Sequence, residues 1–479
     1  MVSRLASTVL ATALLAACTV GPDYVKPDVP VAGAFIRAPE AASVPVAADA
    51  PFWEAFADPM LSSLVADALR ANHDLRIALA NRDRAEALLR GARFDRLPTV
   101  TANGQAADTR GSADQLPGVS RENRDARDYE TGIAASWELD LFGRIRRSVE
   151  AGTANADASD ADLRAAQVVV AGDVAGAYVE LRGLQERLRV ARANLENQQR
   201  TLDLVQAQLD AGSASDFDGA RARAQLETTA SGIPALEAAE AVAMHRIAVL
   251  TGRTPEALVA TLSQPAALPA VPARIESGTP ADVLRSRPDV AAAEARLHAA
   301  TARIGIATAD LFPRITLGGL LGTQATDAGA LFERDSETRL VAFGIDWSFL
   351  DVGRVRARIA AADAAGDAAL AQYQKTVLHA LEDTEDALVR LDRARQEDTH
   401  LQRAATDSAR ASDLARVRHE AGAIGLFELL DVERSRLQAE DAFAAGRTRS
   451  ALDAIALYKA LAGGWPDALP TRETVANRR

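Results

Sequence analysis

The chain repeats itself with an offset of 210 to 215 residues, and this duplication constrains its fold more than any other feature. Residues 66–100 align without a gap on residues 281–315, and further along Trp137 matches Trp347. Two such copies account for most of the 479 residues. Internal similarity at a long, fixed offset predicts two structural repeats whose elements follow the same order.

Each copy predicts a helix followed by two strands. Apolar residues recur at helical spacing over 61–93 and 281–311, and Pro98 and Pro313 end these segments. The strands are predicted near residues 98–110 and 129–141 in the first copy and near 313–325 and 339–351 in the second. The later strand of each copy alternates apolar and mostly polar residues, which predicts one apolar face and one mostly polar face.

A long helical hairpin is predicted after the strands of each copy. No proline interrupts residues 146–209 or 356–418, so each copy can form a helix roughly 90–100 Å long. In the first copy, leucine recurs every seventh residue, as in a coiled-coil seam; the residues are Leu181, Leu188, Leu195, Leu202 and Leu209. Gly212 and Gly422 predict the turns. The hairpin tips therefore lie near residues 210–218 and 420–428.

The N-terminus has the pattern of a secretory signal. Arg4 precedes an apolar run from Val9 to Leu15, and Ala16-Ala17-Cys18 follows. This stretch resembles a bacterial lipoprotein signal, which implies cleavage before Cys18 and acylation of its thiol. An incidental thiol in an ordinary signal peptide is the alternative. The predicted organisation is a signal peptide (1–17), a proline-rich tether (18–57), the first repeat (58–262), the second repeat (263–465) and a tail (466–479).

Charge and motif content exclude several functions. The net charge of −12 argues against nucleic-acid binding, which requires a basic face. The six histidines are dispersed, and neither a nucleophile motif nor a phosphate-binding loop occurs. The sequence thus predicts no enzyme, no metal site and no cofactor apart from a covalent lipid on Cys18.

The amphipathic strands pose a physical problem, because no other segment offers a matching apolar face. If the strands meet lipid, no edge can stay unpaired, and four strands are too few to close a barrel. Copies must then join: three would give a twelve-stranded barrel with a water-filled pore, and two would give eight strands filled by side chains. The core of a β-sandwich is the alternative. In a barrel, Glu138, Asp140 and Asp346 would line the lumen, while Trp137, Trp347, Phe343 and Phe349 would face lipid.

Several stretches resemble one known family. "WELDLFGRIRRSVEA", "LRSRPDVAAAEARLHAATARIGIATADLFPRITL" and "ALYKALAGGW" are similar to the outer-membrane efflux proteins, in the NodT/OprM-type lipoprotein branch related to TolC. The resemblance runs from Cys18 to about Trp465. It implies a homotrimer in the bacterial outer membrane, with a twelve-stranded β-barrel continued by an α-helical barrel in the periplasm. It also implies an exit duct of a tripartite pump, with a periplasmic adaptor and an inner-membrane transporter of the RND type as partners.

The resemblance places functional residues at the hairpin tips. The adaptor would dock on the two turns, at Ala211, Gly212, Ser213, Ala214, Ala421, Gly422, Ala423 and Ile424. Rings of apolar and acidic side chains would close the periplasmic end, and Phe427 and Asp431 match these positions. Where relatives often have arginine-tyrosine, this chain has Arg418-His419. His419 either makes closure pH-sensitive or is a solvated residue at a helix end.

A periplasmic adaptor is the alternative function. Such a protein is also acylated and contains a coiled-coil hairpin. It would carry one hairpin between β-rich domains, whereas this chain has two matched copies with alternating strands. The sequence therefore favours the passive exit duct, with an iris-like periplasmic gate.

Overall fold

A computed structural model describes residues 19–36, 51–462 and 469–472. The predicted signal peptide and Cys18 lie outside the described residues.

The helices and strands follow the same order in both copies. In the first copy α1 (Pro59–Ala71) and α2 (His73–Phe94) precede β1 (Thr99–Arg110) and β2 (Asp125–Leu139), and α3 (Arg144–Asp210) and α4 (Asp216–Leu250) follow. A single turn, α5 (Val259–Leu262), leads to the second copy. There α6 (Pro280–Ser286) and α7 (Pro288–Ala309) precede β3 (Arg314–Ala325) and β4 (Glu337–Asp346), and α8 (Val352–Glu420) and α9 (Leu426–Leu461) follow.

The matching helices on either side of the strands have nearly equal lengths in the two copies. Helices α2 and α7 have 22 residues each, and the long helices α3 and α8 have 67 and 69 residues. The predicted class, mainly helical with a small sheet built from two repeats, is confirmed. None of the helices in the described ranges is apolar over a sufficient length to cross a lipid bilayer.

The chain divides into two compact units. Of the described residues, the first comprises 19–28, 82–159 and 292–374, and the second comprises 29–36, 51–81, 160–291, 375–462 and 469–472. The first unit contains the sheet, whose strands are antiparallel in the order β1-β2-β3-β4. Strands β2 and β3 belong to different copies, so the duplication forms one continuous sheet.

The second unit contains the main hydrophobic core. Leu61, Val65 and Ala68 bury one face of α1, and the Asp58 carboxylate caps this helix by accepting a 2.9 Å hydrogen bond from the Leu61 N–H. Residues 52–56 were predicted to belong to the tether. They instead form a short 3-10 helix that buries Phe52, Trp53 and Phe56, because aromatic side chains gain most from removal from water.

The N-terminal segment is extended, as its proline content predicts, but it also makes specific contacts in the first unit. The Val20 N–H donates to the Phe142 carbonyl at 3.2 Å, and the Arg147 guanidinium binds the Asp23 carboxylate at 2.7 Å. Tyr24 stacks on His298 with ring centroids 4.4 Å apart. Residues 20–26 of the predicted tether are therefore fixed against α3 and α7.

The predicted leucine seam of α3 holds only over its first half. Leu181 and Leu188 are buried, whereas Leu195, Leu202 and Leu209 are half-buried. Toward the tip the buried stripe shifts to polar side chains, listed here with their exposed fractions: Asn194 (4%), Gln198 (4%) and Thr201 (6%). A strict seven-residue repeat drifts around a straight helix, so the leucines leave the packed face.

Candidate functional sites at the sheet and the hairpin tips

One face of the sheet is apolar and open to its surroundings. The register places Trp137, Leu317 and Phe343 in one row across β2, β3 and β4. Val341 on β4 is 84% exposed and Leu321 on β3 is 70% exposed. A solvated sheet would pack such a face on a core. This face therefore suits an apolar environment outside the protomer.

The two edges of the sheet are also free. Within the described residues, the outer edges of β1 and β4 pair with no further strand. Unpaired backbone N–H and C=O groups are tolerated in water but cost several kcal/mol each in hydrocarbon. An apolar face with open edges thus requires further strands before it can enter lipid.

A tryptophan fixes the same junction in each copy. The Trp137 indole N–H donates to the Arg96 carbonyl at 3.0 Å, and the Trp347 indole N–H donates to the Leu311 carbonyl at 3.0 Å. Both carbonyls lie just after the helix that precedes the strands. Tryptophan with an apolar ring and a bonded N–H is typical of a membrane–water interface.

The two hairpin turns have the same backbone geometry. Gly212 and Gly422 have φ of 72° and 69°, a left-handed conformation that glycine adopts without strain. The N–H of the following residue bonds back over the last turn, from Ser213 to the Gln208 carbonyl and from Ala423 to the Arg418 carbonyl, at 2.8 Å in each case. This pattern ends α3 and α8 as a Schellman motif does.

The helices that leave the turns begin differently. The Ser215 hydroxyl and the Asp218 carboxylate form a capping box at α4, and the hydrogen bonds from Ser215 lower the pKa of the Asp218 carboxyl. At α9, the Glu428 carboxylate accepts a 2.8 Å bond from the Gly425 N–H. Gly425 has no side chain to complete the box, so α9 begins with a weaker cap.

The predicted gate residues gather at the second tip. Phe427 is 59% exposed on α9, and the Arg221 guanidinium of α4 lies 4.2 Å from its ring centroid. Asp431 lies one turn further along α9 and forms an ion pair with Arg434 of the same helix.

The two residues before the second turn differ in exposure. Arg418 is exposed, whereas His419 is only 8% exposed and its Nδ1 lies 3.1 Å from the Ile424 carbonyl. A solvated histidine at this helix end, one of the two sequence interpretations, is therefore wrong. The eight predicted docking residues lie in the two turns. In each turn the glycine and its two chain neighbours are exposed, whereas Ala214 and Ile424 are half-buried.

Comparison with known proteins identifies the family. The model of the family described as "Outer membrane efflux protein" matches residues 64–253 and 279–463. The chain is 33% identical over 471 residues to the outer membrane protein OprJ of Pseudomonas aeruginosa, covering 96% of each. It is 32% identical over 431 residues to nodulation protein T of Rhizobium leguminosarum bv. trifolii, covering 88% of this chain and 89% of the relative.

The chain belongs to the outer membrane efflux protein family. A solved structure of the outer-membrane channel OprN aligns with a TM-score of 0.86 and 39% identity, covering 94% of this chain and 100% of that one. The two matched segments coincide with the two copies. The family predicted from the sequence resemblance is confirmed. Its members are channels of efflux pumps rather than enzymes. Within the described residues, no three histidine, cysteine, aspartate or glutamate side chains gather as a metal site requires.

Two of the residues predicted to face the lumen of the efflux channel take part in strand–helix junctions. Glu138 lies on β2 and binds the Arg144 guanidinium at 2.6 Å. Asp140 lies beyond the end of β2 and accepts bonds from the Ile145 and Arg146 N–H groups at 3.0 and 2.9 Å. Its prediction as a strand residue is wrong, because a carboxylate satisfies the free N–H groups at the start of α3.

The fourth strand is shorter than predicted. β4 ends at Asp346, which pairs in register with Arg314. Trp347 and Phe349 therefore lie beyond the strand and contact each other with ring centroids 5.4 Å apart. Phe343 lies on β4, as predicted. Alternation of residue types continues past the last strand hydrogen bond, so the pattern alone could not locate the end.

Sequence reasoning missed two residues at the tips of this efflux-family protein. Arg221 was not singled out, because a contact between separate hairpins leaves no local pattern. Glu433 is 5% exposed on α9. A signal for it existed, since Leu430, Glu433 and Leu437 follow one another at helical spacing and place a carboxylate on an otherwise apolar stripe.

Proposed function

We propose that this protein is the exit duct of a tripartite efflux pump in the bacterial outer membrane. The observation that carries the proposal is the apolar, exposed sheet face with two open edges. Three copies joined edge to edge would close twelve strands into a barrel around a water-filled lumen, with no edge left in lipid. The lumen would conduct exported compounds passively, with Glu138 and Asp346 facing it.

The anchor and partners complete the proposal. A lipid on Cys18 would hold the N-terminus at the membrane, and the contacts of residues 19–28 with α3 and α7 would fix the segment that follows. A periplasmic adaptor would dock on the two turns at Gly212 and Gly422, with an inner-membrane transporter of the RND type beyond it. The exposed small residues around both turns support a docking surface that a helical hairpin can approach closely.

The duct proposal is tested with a Cys18→Ser variant. Since the barrel rather than the lipid would hold the protein in the membrane, the variant should still require detergent. Light scattering should give the mass of three chains, and planar bilayers should show discrete conductance steps. A water-soluble monomer without conductance would contradict the proposal and would favour the adaptor function.

We further propose an iris-like gate at the periplasmic end. In a trimer, three Phe427 rings would exclude water and three Asp431 carboxylates would attract cations, with Arg434 moderating their charge. Arg418 and His419 would support the closed turn from α8. Opening would follow when α8 and α9 swing outward.

The gate is tested by single-channel conductance of a Phe427→Ala, Asp431→Ala double variant. We expect larger or more frequent openings than in the unsubstituted protein. Phe217→Ala is the matched control, because Phe217 is the counterpart of Phe427 in the first copy and is 70% exposed. Unchanged conductance in the double variant would rule out these gate residues.

A further inference from the structure

A buried polar junction lies between three helices near the second tip. Glu433 of α9 is 5% exposed. Its carboxylate accepts a hydrogen bond from the Thr201 hydroxyl of α3 at 3.1 Å, and the Arg416 guanidinium of α8 lies 3.5 Å from it. The family comparison assigns no role to this residue, and the gate residues proposed above do not include it.

A small cavity adjoins this carboxylate. Its volume is about 10 Å³, close to what one water molecule needs. Both amide atoms of Gln198 and the Ser412 hydroxyl are buried at the cavity and find no hydrogen-bond partner among the described residues. Buried polar atoms are normally satisfied by protein or by ordered water. These groups therefore form a site for one water molecule that is shared by α3, α8 and α9.

The charges around Glu433 leave its carboxylate only partly compensated. From α8 it faces Arg416, and from α9 it faces Arg436, which also binds Glu440 at 2.8 Å and Asp413 at 3.4 Å. From α3 it faces only neutral groups. Burial raises the pKa of the Glu433 carboxyl, and the Thr201 hydroxyl and Arg416 oppose this without cancelling it.

We propose that Glu433 is a proton-binding site, served by one buried water, that sets how tightly α9 packs on α3 and α8. When protonated, the carboxyl is neutral and can donate to the Gln198 amide oxygen or to the water. When ionised, its nearest cation is the Arg416 guanidinium at 3.5 Å, longer than an ordinary charged hydrogen bond, so the buried charge is only partly compensated. The neutral form therefore favours close packing, and the charged form loosens it.

The direction of the pH dependence follows from the raised pKa of Glu433. The junction is fully stabilised below the ordinary glutamate pKa, and this stabilisation is lost as the pH rises through the higher value in the folded protein. Mild acidification should thus tighten the second hairpin, and higher pH should loosen it.

The first hairpin provides an internal comparison. By the 210-residue offset, the counterparts of Ser412, Arg416 and Glu433 are Leu202, Gln206 and Arg223. Arg223 is exposed, so the first copy has no buried carboxyl at this position. Only the second hairpin should respond to protonation. The effect of Glu433 protonation on conductance rests on the proposed gate, whereas proton binding itself does not.

Hydrogen–deuterium exchange of the full-length protein in detergent tests the site between about pH 5 and about pH 8. After correction for intrinsic exchange, amides of residues 426–440 should exchange several-fold faster at the upper end, because the ionised carboxylate loosens the packing of α9. The Glu433→Gln variant should stay protected throughout. Glu227→Gln, which removes an exposed carboxylate on α4, should behave as the unsubstituted protein does.

An Arg416→Gln variant gives a second, independent test. Removing the nearby cation raises the carboxyl pKa further, so the midpoint of the exchange change should move to higher pH. A pH response that survives in Glu433→Gln, or a midpoint that stays in place in Arg416→Gln, would overturn the proposal. Conductance separates this failure from failure of the duct: a conducting channel without the Glu433 response disproves only the proton site. Absence of conductance at every pH contradicts the duct.

Discussion

At the scale of single residues, the contact between Arg221 and Phe427 links the two hairpins of one chain. The guanidinium lies over an exposed ring, where a cation–π contact contributes about 0.5–1 kcal/mol. Replacing Arg221 by Gln should remove this contribution and increase hydrogen exchange in the first turn of α9. A double-mutant cycle with Phe427→Leu measures the coupling free energy directly.

Arg223→Gln is the matched control for this prediction. Arg223 is an exposed arginine two residues further along the same helix, so its loss changes net charge equally without touching the ring. We expect no coupling between Arg223 and Phe427. Equal coupling for both arginines would show a general charge effect rather than a specific contact.

The residue scale also limits what the sequence could predict. Cys18, Phe427 and Asp431 were found through a signal pattern and a family resemblance, both of which depend on local order along the chain. Arg221 contacts Phe427, and Glu433 bonds Thr201 and faces Arg416, all on other helices. The spacing of Leu430, Glu433 and Leu437 could indicate a buried carboxylate, but the partners of both side chains on other helices are decided by tertiary packing, which no periodicity in one helix contains.

At the scale of elements, the spacing of apolar residues and the positions of prolines predict the helices and strands. Pro98 and Pro313 precede β1 and β3 by one residue in each copy, and the uninterrupted stretches became α3 and α8. The predicted boundaries were wrong where tertiary contacts, rather than local sequence preference, decide where an element begins or ends. The Asp140 carboxylate joins the start of α3, and the aromatic side chains of residues 52–56 join the core.

The N-terminal segment allows a prediction at this scale. Gly21 has φ of 88°, and a Cβ there would lie 2.4 Å from the Gly305 Cα of α7. Gly21→Ala should therefore release the segment from α3 and α7, since backbone and steric strain act together. Limited proteolysis should cut residues 19–28 faster in this variant. Gly33→Ala, whose Cβ would meet nothing within 4 Å, should be cut at the unsubstituted rate.

Faster cutting in both variants would show that alanine loosens the segment at either position, so the close approach of Gly21 to Gly305 would not be the cause. Equal protection in both would show that the contact with Gly305 does not fix it. Either result would remove the support that this segment gives to anchoring at Cys18.

At the scale of the whole molecule, the architecture was predictable because duplication, alternation and helix length agree with one another, and the family was predictable because several stretches of sequence resemble it. Because unpaired strand edges are costly in lipid, a four-stranded sheet then predicts an assembly of several chains. The sequence could not show that β2 of one copy pairs with β3 of the other, which makes one sheet of four rather than two hairpins. That connection matters, since one sheet leaves two open edges and two hairpins would leave four.

The two faces of β4 provide the sharpest test of the membrane assignment. Phe343 and Leu340 are both exposed, at 62% and 58%, but three positions apart on a strand they point to opposite faces. If the Phe343 face meets lipid, Phe343→Arg should destabilise the protein folded in lipid vesicles by up to about 2–4 kcal/mol per chain. Leu340→Arg should cost much less, because an arginine facing a water-filled lumen stays hydrated. Equal losses would mean that both faces meet the same environment and would contradict a barrel with one lipid face and one lumen face. A larger loss for Leu340→Arg would show that the Leu340 face, rather than the Phe343 face, meets lipid.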